Sequence, residues 1–166
     1  MWRGSAIGIL AGIGLFGCTG VEAQTIFVAR HAERTGEPDP PLNDDGRRRA
    51  EALRRMLTDA GVHYFYTSDT LRAQQTAEPL AKQMGKRVEV TAQPDFEGLL
   101  AKIRRTADPE RATLVIGHRA TVPRIVKALG GADIAPLGPA EHDRLIVVTL
   151  LPGGRARVVT LRYGVE

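Results

Sequence analysis

The chain has a single cysteine, Cys18, in 166 residues, so no disulfide framework can hold its fold. Aromatic residues make up only 5%. That is too few for the stacking platforms on which single-stranded nucleic acid is bound. The net charge is +4 but no dense basic run carries it, which excludes a basic nucleic-acid-binding tail. Ala6 to Gly17 forms an apolar run that is too short and too glycine-rich to span a bilayer comfortably. No repeat and no low-complexity tract interrupts the chain.

What is present is an ordinary globular balance, 43% hydrophobic and 25% charged, enough to bury one core. The positive balance favours anionic partners. At the N-terminus, "MWRGSAIGILAGIGLFGCTGVEAQ" places Arg3 ahead of the apolar run and the small-residue site "VEA" before Gln24. This is the layout of a secretory signal. Residues 1–23 are therefore expected to be removed, leaving one domain over 24–166, exported to the periplasm. "LFGC" also resembles a lipobox, which would make Cys18 a lipid anchor and the membrane a partner. Phe16 is bulky for that pattern, and the tether from Cys18 to Thr25 is short. Cleavage after Ala23 is the preferred reading, and it leaves no cysteine for thiol chemistry.

The remaining chain alternates strand and helix patterns. "TIFVA" is an unbroken apolar run, as in a strand covered on both faces. "PPLNDDGRRRAEALRRMLTDAG" predicts a helix capped by Asn43, with Asp44 and Asp45 in its first turn and Gly61 closing it. "YFYTS", "RVEVT" and "ATLVIGH" read as strands. "TLRAQQTAEPLAKQMG", "FEGLLAKIRRTA" and "TVPRIVKALGG" read as helices, the first bent at Pro79. "RLIVVTLL" and "RARVVTLRY" form a hairpin across Pro152-Gly153-Gly154. The alternation predicts an α/β fold, a three-layer α/β/α sandwich around a mainly parallel sheet with an antiparallel edge strand.

In such sheets ligands sit beyond the carboxyl ends of the strands. Here the first strand ends in Arg30-His31, the second leads through Thr67-Ser68 to Arg72, and a third ends in His118-Arg119. Cations gathered at one sheet end point to a bound anion, because guanidinium forks match phosphate oxygens. Arg119 is a further member of the cluster or a solvent-facing charge. A zinc site is disfavoured: His31-Ala32-Glu33 lacks metal-ligand spacing and its arginine neighbours repel a cation. His63 and His142 match no motif and are read as surface or packing residues.

The ordered elements "RHA" (Arg30 to Ala32), "LNDDGRRRA" (Leu42 to Ala50), "SDTLRAQQTA" (Ser68 to Ala77) and "GHRATV" (Gly117 to Val122) resemble the histidine phosphatase superfamily, the phosphoglycerate-mutase-like proteins. The short length and the leader resemble its short, exported branch. Ala32 stands where the family has glycine, and "GHRATV" replaces a commoner "GHSNTV" pattern. The resemblance implies a metal-independent phosphomonoester hydrolase without cofactor. His31 would be the nucleophile, and Arg30, Arg72 and His118 would hold the phosphoryl oxygens. For the proton donor it leaves Asp95, Glu97 and Glu33 open, with the first two preferred. The expected partner is a phosphorylated small molecule or a phosphoprotein, not nucleic acid. The alternatives are a phosphohistidine-protein phosphatase and an anion-binding protein without turnover. A glycolytic mutase is disfavoured by the short chain.

Overall fold

The computed structural model describes residues 23–164 except 37, 94 and 107. Residues 1–22, Cys18 included, lie outside the described residues, and with them almost all of the segment expected to be a secretory signal. The elements run β1 (Gln24–Arg30), α1 (Asp44–Leu57), β2 (Val62–Ser68), α2 (Leu71–Gln83), β3 (Val88–Thr91), α3 (Phe96–Arg105), β4 (Ala112–Gly117), α4 (Thr121–Ala128), β5 (Arg144–Leu151) and β6 (Arg155–Arg162). The strands form a single six-stranded sheet in the order β3-β2-β4-β1-β5-β6. The pairs β2–β3, β2–β4 and β1–β4 are parallel. β5 runs antiparallel to β1, and β6 antiparallel to β5. The fold is thus α/β with a mostly parallel sheet and an antiparallel side.

Strand periodicity separates two cores. Phe27, Ala29, Phe65, Leu114, Ile116 and Leu145 point to one face, where Leu53 and Leu57 of α1 and Ala77 and Leu80 of α2 cover them. Ile26, Val28, Tyr66, Val115, Ile146 and Val148 point to the other, against Leu100 and Ile103 of α3 and Val122, Ile125 and Val126 of α4. Burial on both faces explains why β1 and β4 read as continuous apolar runs. These helices and strands form the expected three layers.

Local chemistry sets the boundaries. Asn43 caps α1, its Oδ1 accepting from the Gly46 amide at 2.8 Å. Gly46 is required for a closer reason: a Cβ there would lie 2.1 Å from the Glu33 carbonyl oxygen. The start of α1 is therefore pressed against the segment that leaves β1. α2 continues through Pro79. Gly153 and Gly154, both at positive φ, turn the β5–β6 hairpin. Among the described residues no helix is long and apolar enough to cross a membrane.

Candidate active site

β1 and β4 are neighbours whose onward connections leave in opposite directions, the switch point at which open α/β sheets bind ligands. Their register pairs Arg30 with Gly117. His31 and His118 each follow directly, so they leave the sheet side by side, with ring centroids 5.3 Å apart. The His31 amide donates to the Gly117 carbonyl at 2.9 Å, which holds the two exits together.

His31 is 4% exposed. Its Nδ1 lies 2.8 Å from the Ala32 carbonyl oxygen. A carbonyl only accepts, so Nδ1 carries the proton and Nε2 of the neutral ring is unprotonated. Burial pushes the imidazole down to about 3, against the opposing Ala32 carbonyl and helped by the charges of His118, Arg30 and Arg72. His118 is pushed down to about 4 by burial and then by Arg72 and Arg30, with Asp69 and Asp39 opposing. Its Nε2 is 2.8 Å from Ser68 Oγ at the end of β2. The Thr121 hydroxyl accepts from its backbone amide at 2.8 Å. Without an anion, both rings are neutral near pH 7.

Two arginines stand around them. Arg30 is buried, and its Nη1 donates to the carbonyls of Gly138, Pro139 and Glu141 at 3.0, 2.8 and 3.1 Å. It thereby ties the loop before β5 to the end of β1. Arg72, whose side chain is 12% exposed, opens α2 and pairs with Asp39 at 3.1 Å. The Nε–H groups of both arginines are buried and have no hydrogen-bond partner among the described residues. Arg119 is exposed. It is near enough to Arg30 that, after burial, its charge is the largest cause holding that guanidinium below its ordinary value.

Ala32 needs no glycine backbone, because no described non-glycine residue has a positive φ. It is fully buried against Leu42 and Ala50. Its amide donates to Thr76 Oγ1 at 2.9 Å, and the Thr76 hydroxyl donates to the Arg72 carbonyl at 2.7 Å. The methyl group that departs from the family pattern thus becomes core.

The three carboxylates differ. Glu33 is clamped by Arg49, which donates through Nε at 2.7 and 2.9 Å to the two carboxylate oxygens. Burial would raise that carboxyl, but the Arg49 hydrogen bonds and charge outweigh it and hold it below the ordinary range. Asp95 caps α3, its Oδ1 accepting from the Gly98 amide at 2.9 Å, and it lines a small cavity with Ser68 and His118. Glu97 lies in the first turn of α3, exposed, and lines neither that cavity nor the clefts beside His31.

His142, read from the sequence as a surface or packing residue, is buried and bonded to the His31 backbone. It is 8% exposed, its ring centroid is 5.5 Å from that of His31, and its Nδ1 donates to the His31 carbonyl at 2.7 Å. It lines a cleft of about 330 Å³ with Arg30, His31 and Glu33, which adjoins a larger one of about 840 Å³. Nothing in the sequence signals His142, since it lies in a loop without motif. Ser68 and Thr76 sit inside the "SDTLRAQQTA" element, so a signal for them existed. His63 lies apart, at the start of β2, with Lys86 Nζ at 3.3 Å and Arg111 Nη1 at 3.1 Å from its Nε2. Among the described residues no three His, Cys, Asp or Glu form a metal-binding group.

The model of the histidine phosphatase superfamily (branch 1) matches residues 25–99. That segment carries Arg30, His31, Glu33, Arg72, Asp95 and Glu97 but stops short of His118 and His142. A curated relative, 8-oxo-(d)GTP phosphatase of Mycolicibacterium smegmatis, is 34% identical over 71 residues, 39% of this chain and 22% of the relative. The chain therefore spans only about a fifth of the length of that relative. Mycobacterial glucosyl-3-phosphoglycerate phosphatase superposes with a TM-score of 0.65 at 16% identity, covering 84% of this chain and 99% of the other. The protein histidine phosphatase SixA, solved with tungstate, gives 0.65 at 20% identity, covering 84% and 97%. These solved structures establish the fold. The chain is thus similar to the histidine phosphatase superfamily over residues 25–99, and its fold is shared with solved phosphatases.

Proposed function

We propose that the protein is a metal-independent phosphomonoester hydrolase that works through a phosphohistidine on His31. The observation that carries this is the state of the His31 ring. Nδ1 donates to the Ala32 carbonyl, and Nε2 is left with a lone pair beside His118. A buried imidazole held neutral is a nucleophile ready at any pH above its lowered value.

In this reading Nε2 attacks phosphorus, the ester oxygen departs with a proton, and water then attacks the phosphohistidine to regenerate His31. Arg72 and Arg30 hold equatorial oxygens with the donors their protein partners leave open, and His118 becomes a charged donor once the anion is bound. Fixed cations thus do the electrostatic work. The proton donor assigned is Asp95, which shares a cavity with His118, in preference to Glu33, which Arg49 holds ionised. The substrate is a phosphorylated small molecule met outside the cytoplasm.

Rapid quench with a labelled aryl phosphate tests the reading. An acid-labile, base-stable phosphoenzyme should form, with the label mapping to His31. His118→Ala should slow its formation without moving the label. Label on His118, or full activity in His31→Ala, refutes the mechanism. A folded protein that binds vanadate without turnover supports the anion-binding alternative instead. The fold shared with SixA favours a second reading, a phosphohistidine-protein phosphatase. A phosphohistidine peptide that outcompetes small esters would select it.

A further inference from the structure

Every polar group of the peptide joining His31 to Ala32 is anchored, and the anchors come from different parts of the fold. On one side the Ala32 N–H donates to Thr76 Oγ1 of α2 at 2.9 Å. On the other the His31 C=O accepts from His142 Nδ1, in the loop before β5, at 2.7 Å. The next carbonyl along, that of Ala32, receives the His31 ring proton at 2.8 Å. The direction of that carbonyl follows from the plane of the peptide before it. A tilt of the His31–Ala32 peptide therefore turns away the acceptor that fixes the His31 tautomer.

We infer that His142 is a positioning residue for the nucleophile: by holding the His31 carbonyl opposite Thr76, it keeps the His31 ring in the tautomer and orientation that present Nε2 to phosphorus. The inference rests on the phosphomonoesterase reading and deepens it. His142 is suited to this task. It is buried, so water competes poorly for the His31 carbonyl. Its own loop is tied down by Arg30, which donates to the carbonyls of Gly138, Pro139 and Glu141. That loop is also closed at its far end, where Glu141 pairs with Arg144 at 2.7 Å. The clamp is therefore built on fixed elements, as precise positioning requires. Misplacement of a reacting group by about 1 Å can cost on the order of a hundredfold in rate.

The test compares His142→Phe, which keeps a ring but deletes the donor, with His142→Asn, whose amide N–H can replace the Nδ1–H. In His142→Phe, kcat and the single-turnover rate of phosphohistidine formation should fall by roughly 10- to 100-fold. KM and vanadate affinity should change less than about threefold. His142→Asn should recover most of the loss. Thr76→Val, which cuts the opposite anchor, should reproduce the kcat defect, and Thr76→Ser should not. Long-range imidazole NMR supplies a readout independent of turnover. Wild-type His31 should be protonated at Nδ1 alone, and His142→Phe should show both tautomers. Wild-type kcat in a folded His142→Phe protein, or a single unchanged His31 tautomer there, overturns the inference. So does a loss confined to KM. If the wild-type protein itself forms no phosphohistidine, the underlying reading fails instead, and the tautomer measurement still decides whether His142 positions the ring.

Discussion

Acid should destabilise this protein through its site, and the effect can be sized. His31 has a folded value of about 3 against an ordinary 6.5. Between those values the unfolded chain binds a proton that the folded protein refuses. The stabilisation from keeping His31 neutral is therefore complete above about pH 6.5 and is lost as the pH falls toward the folded value. At about 1.4 kcal/mol per pH unit, His31 alone removes about 2 kcal/mol by pH 5 and about 5 kcal/mol over the whole window. His118, lowered to about 4, adds a comparable loss down to pH 5. Glu33 and Glu141 are held below their ordinary value of 4.5 and titrate beneath this range, so the window above about pH 5 belongs to the histidines. A domain of this size has about 5–15 kcal/mol in total. Urea unfolding measured at intervals from about pH 7.5 to pH 5 should show the wild-type free energy falling steeply below pH 6.5. The discriminating protein is His31→Asn, whose amide can still donate to the Ala32 carbonyl but does not titrate. Its slope should be shallower by about 1.4 kcal/mol per pH unit at the acid end of that range. Equal slopes in the two proteins would mean that His31 is not held neutral by burial, and the argument for a ready nucleophile would fall with it.

Arg72→Ala should weaken vanadate binding by about 1.5–3 kcal/mol, the usual worth of a charge-assisted contact, and unchanged affinity in equilibrium dialysis would remove Arg72 from the anion site. Gly46→Ala should destabilise the fold by at least about 1–3 kcal/mol by denaturant titration, because its methyl would meet the Glu33 backbone; an unaltered midpoint would show that α1 and the Glu33 segment can separate freely. The exported chain should begin at Gln24 by mass spectrometry, a cut that leaves β1 whole, since Gln24 is its first residue and donates to the Thr106 carbonyl at 3.1 Å. A diacylglyceryl group on Cys18 would overturn that assignment.

Much of the fold was legible because its signals are local. β1 and β4 are buried on both faces and read as apolar runs without polar alternation. α1 announces itself through Asn43 and the acidic first turn, and the hairpin through its glycines. The juxtaposition of His31 and His118 was also within reach. Both follow strands of one parallel sheet, and a parallel register brings their exits together. The carboxylate proposed as proton donor was not legible. Asp95 and Glu97 are two residues apart on one helix start, and only the folded geometry puts the first, and not the second, on the cavity that His118 also lines. For Glu33 the telling feature is Arg49, sixteen positions along the chain, whose guanidinium favours the ionised carboxylate.

His142 shows the deeper limit. A motif records side chains that touch a ligand from elements close in sequence, and His142 acts 111 positions away on a backbone carbonyl. A carbonyl has no residue type, so the partner of such a bond leaves no paired signature in the chain. Arg30 has the same double character: its place at the end of β1 reads as a ligand for phosphate, yet its Nη1 is spent on three carbonyls of the loop that carries His142. Losing Arg30 should therefore do more than weaken anion binding. It should also release the loop and, with it, the hold of His142 on the His31 carbonyl. Arg30→Ala is accordingly expected to lower both oxyanion affinity and the rate of phosphohistidine formation at saturating substrate, where Arg72→Ala acts chiefly on affinity. Single-turnover kinetics at high ester concentration separates the two. An Arg30→Ala defect that saturation fully repairs would show that the loop stands without it.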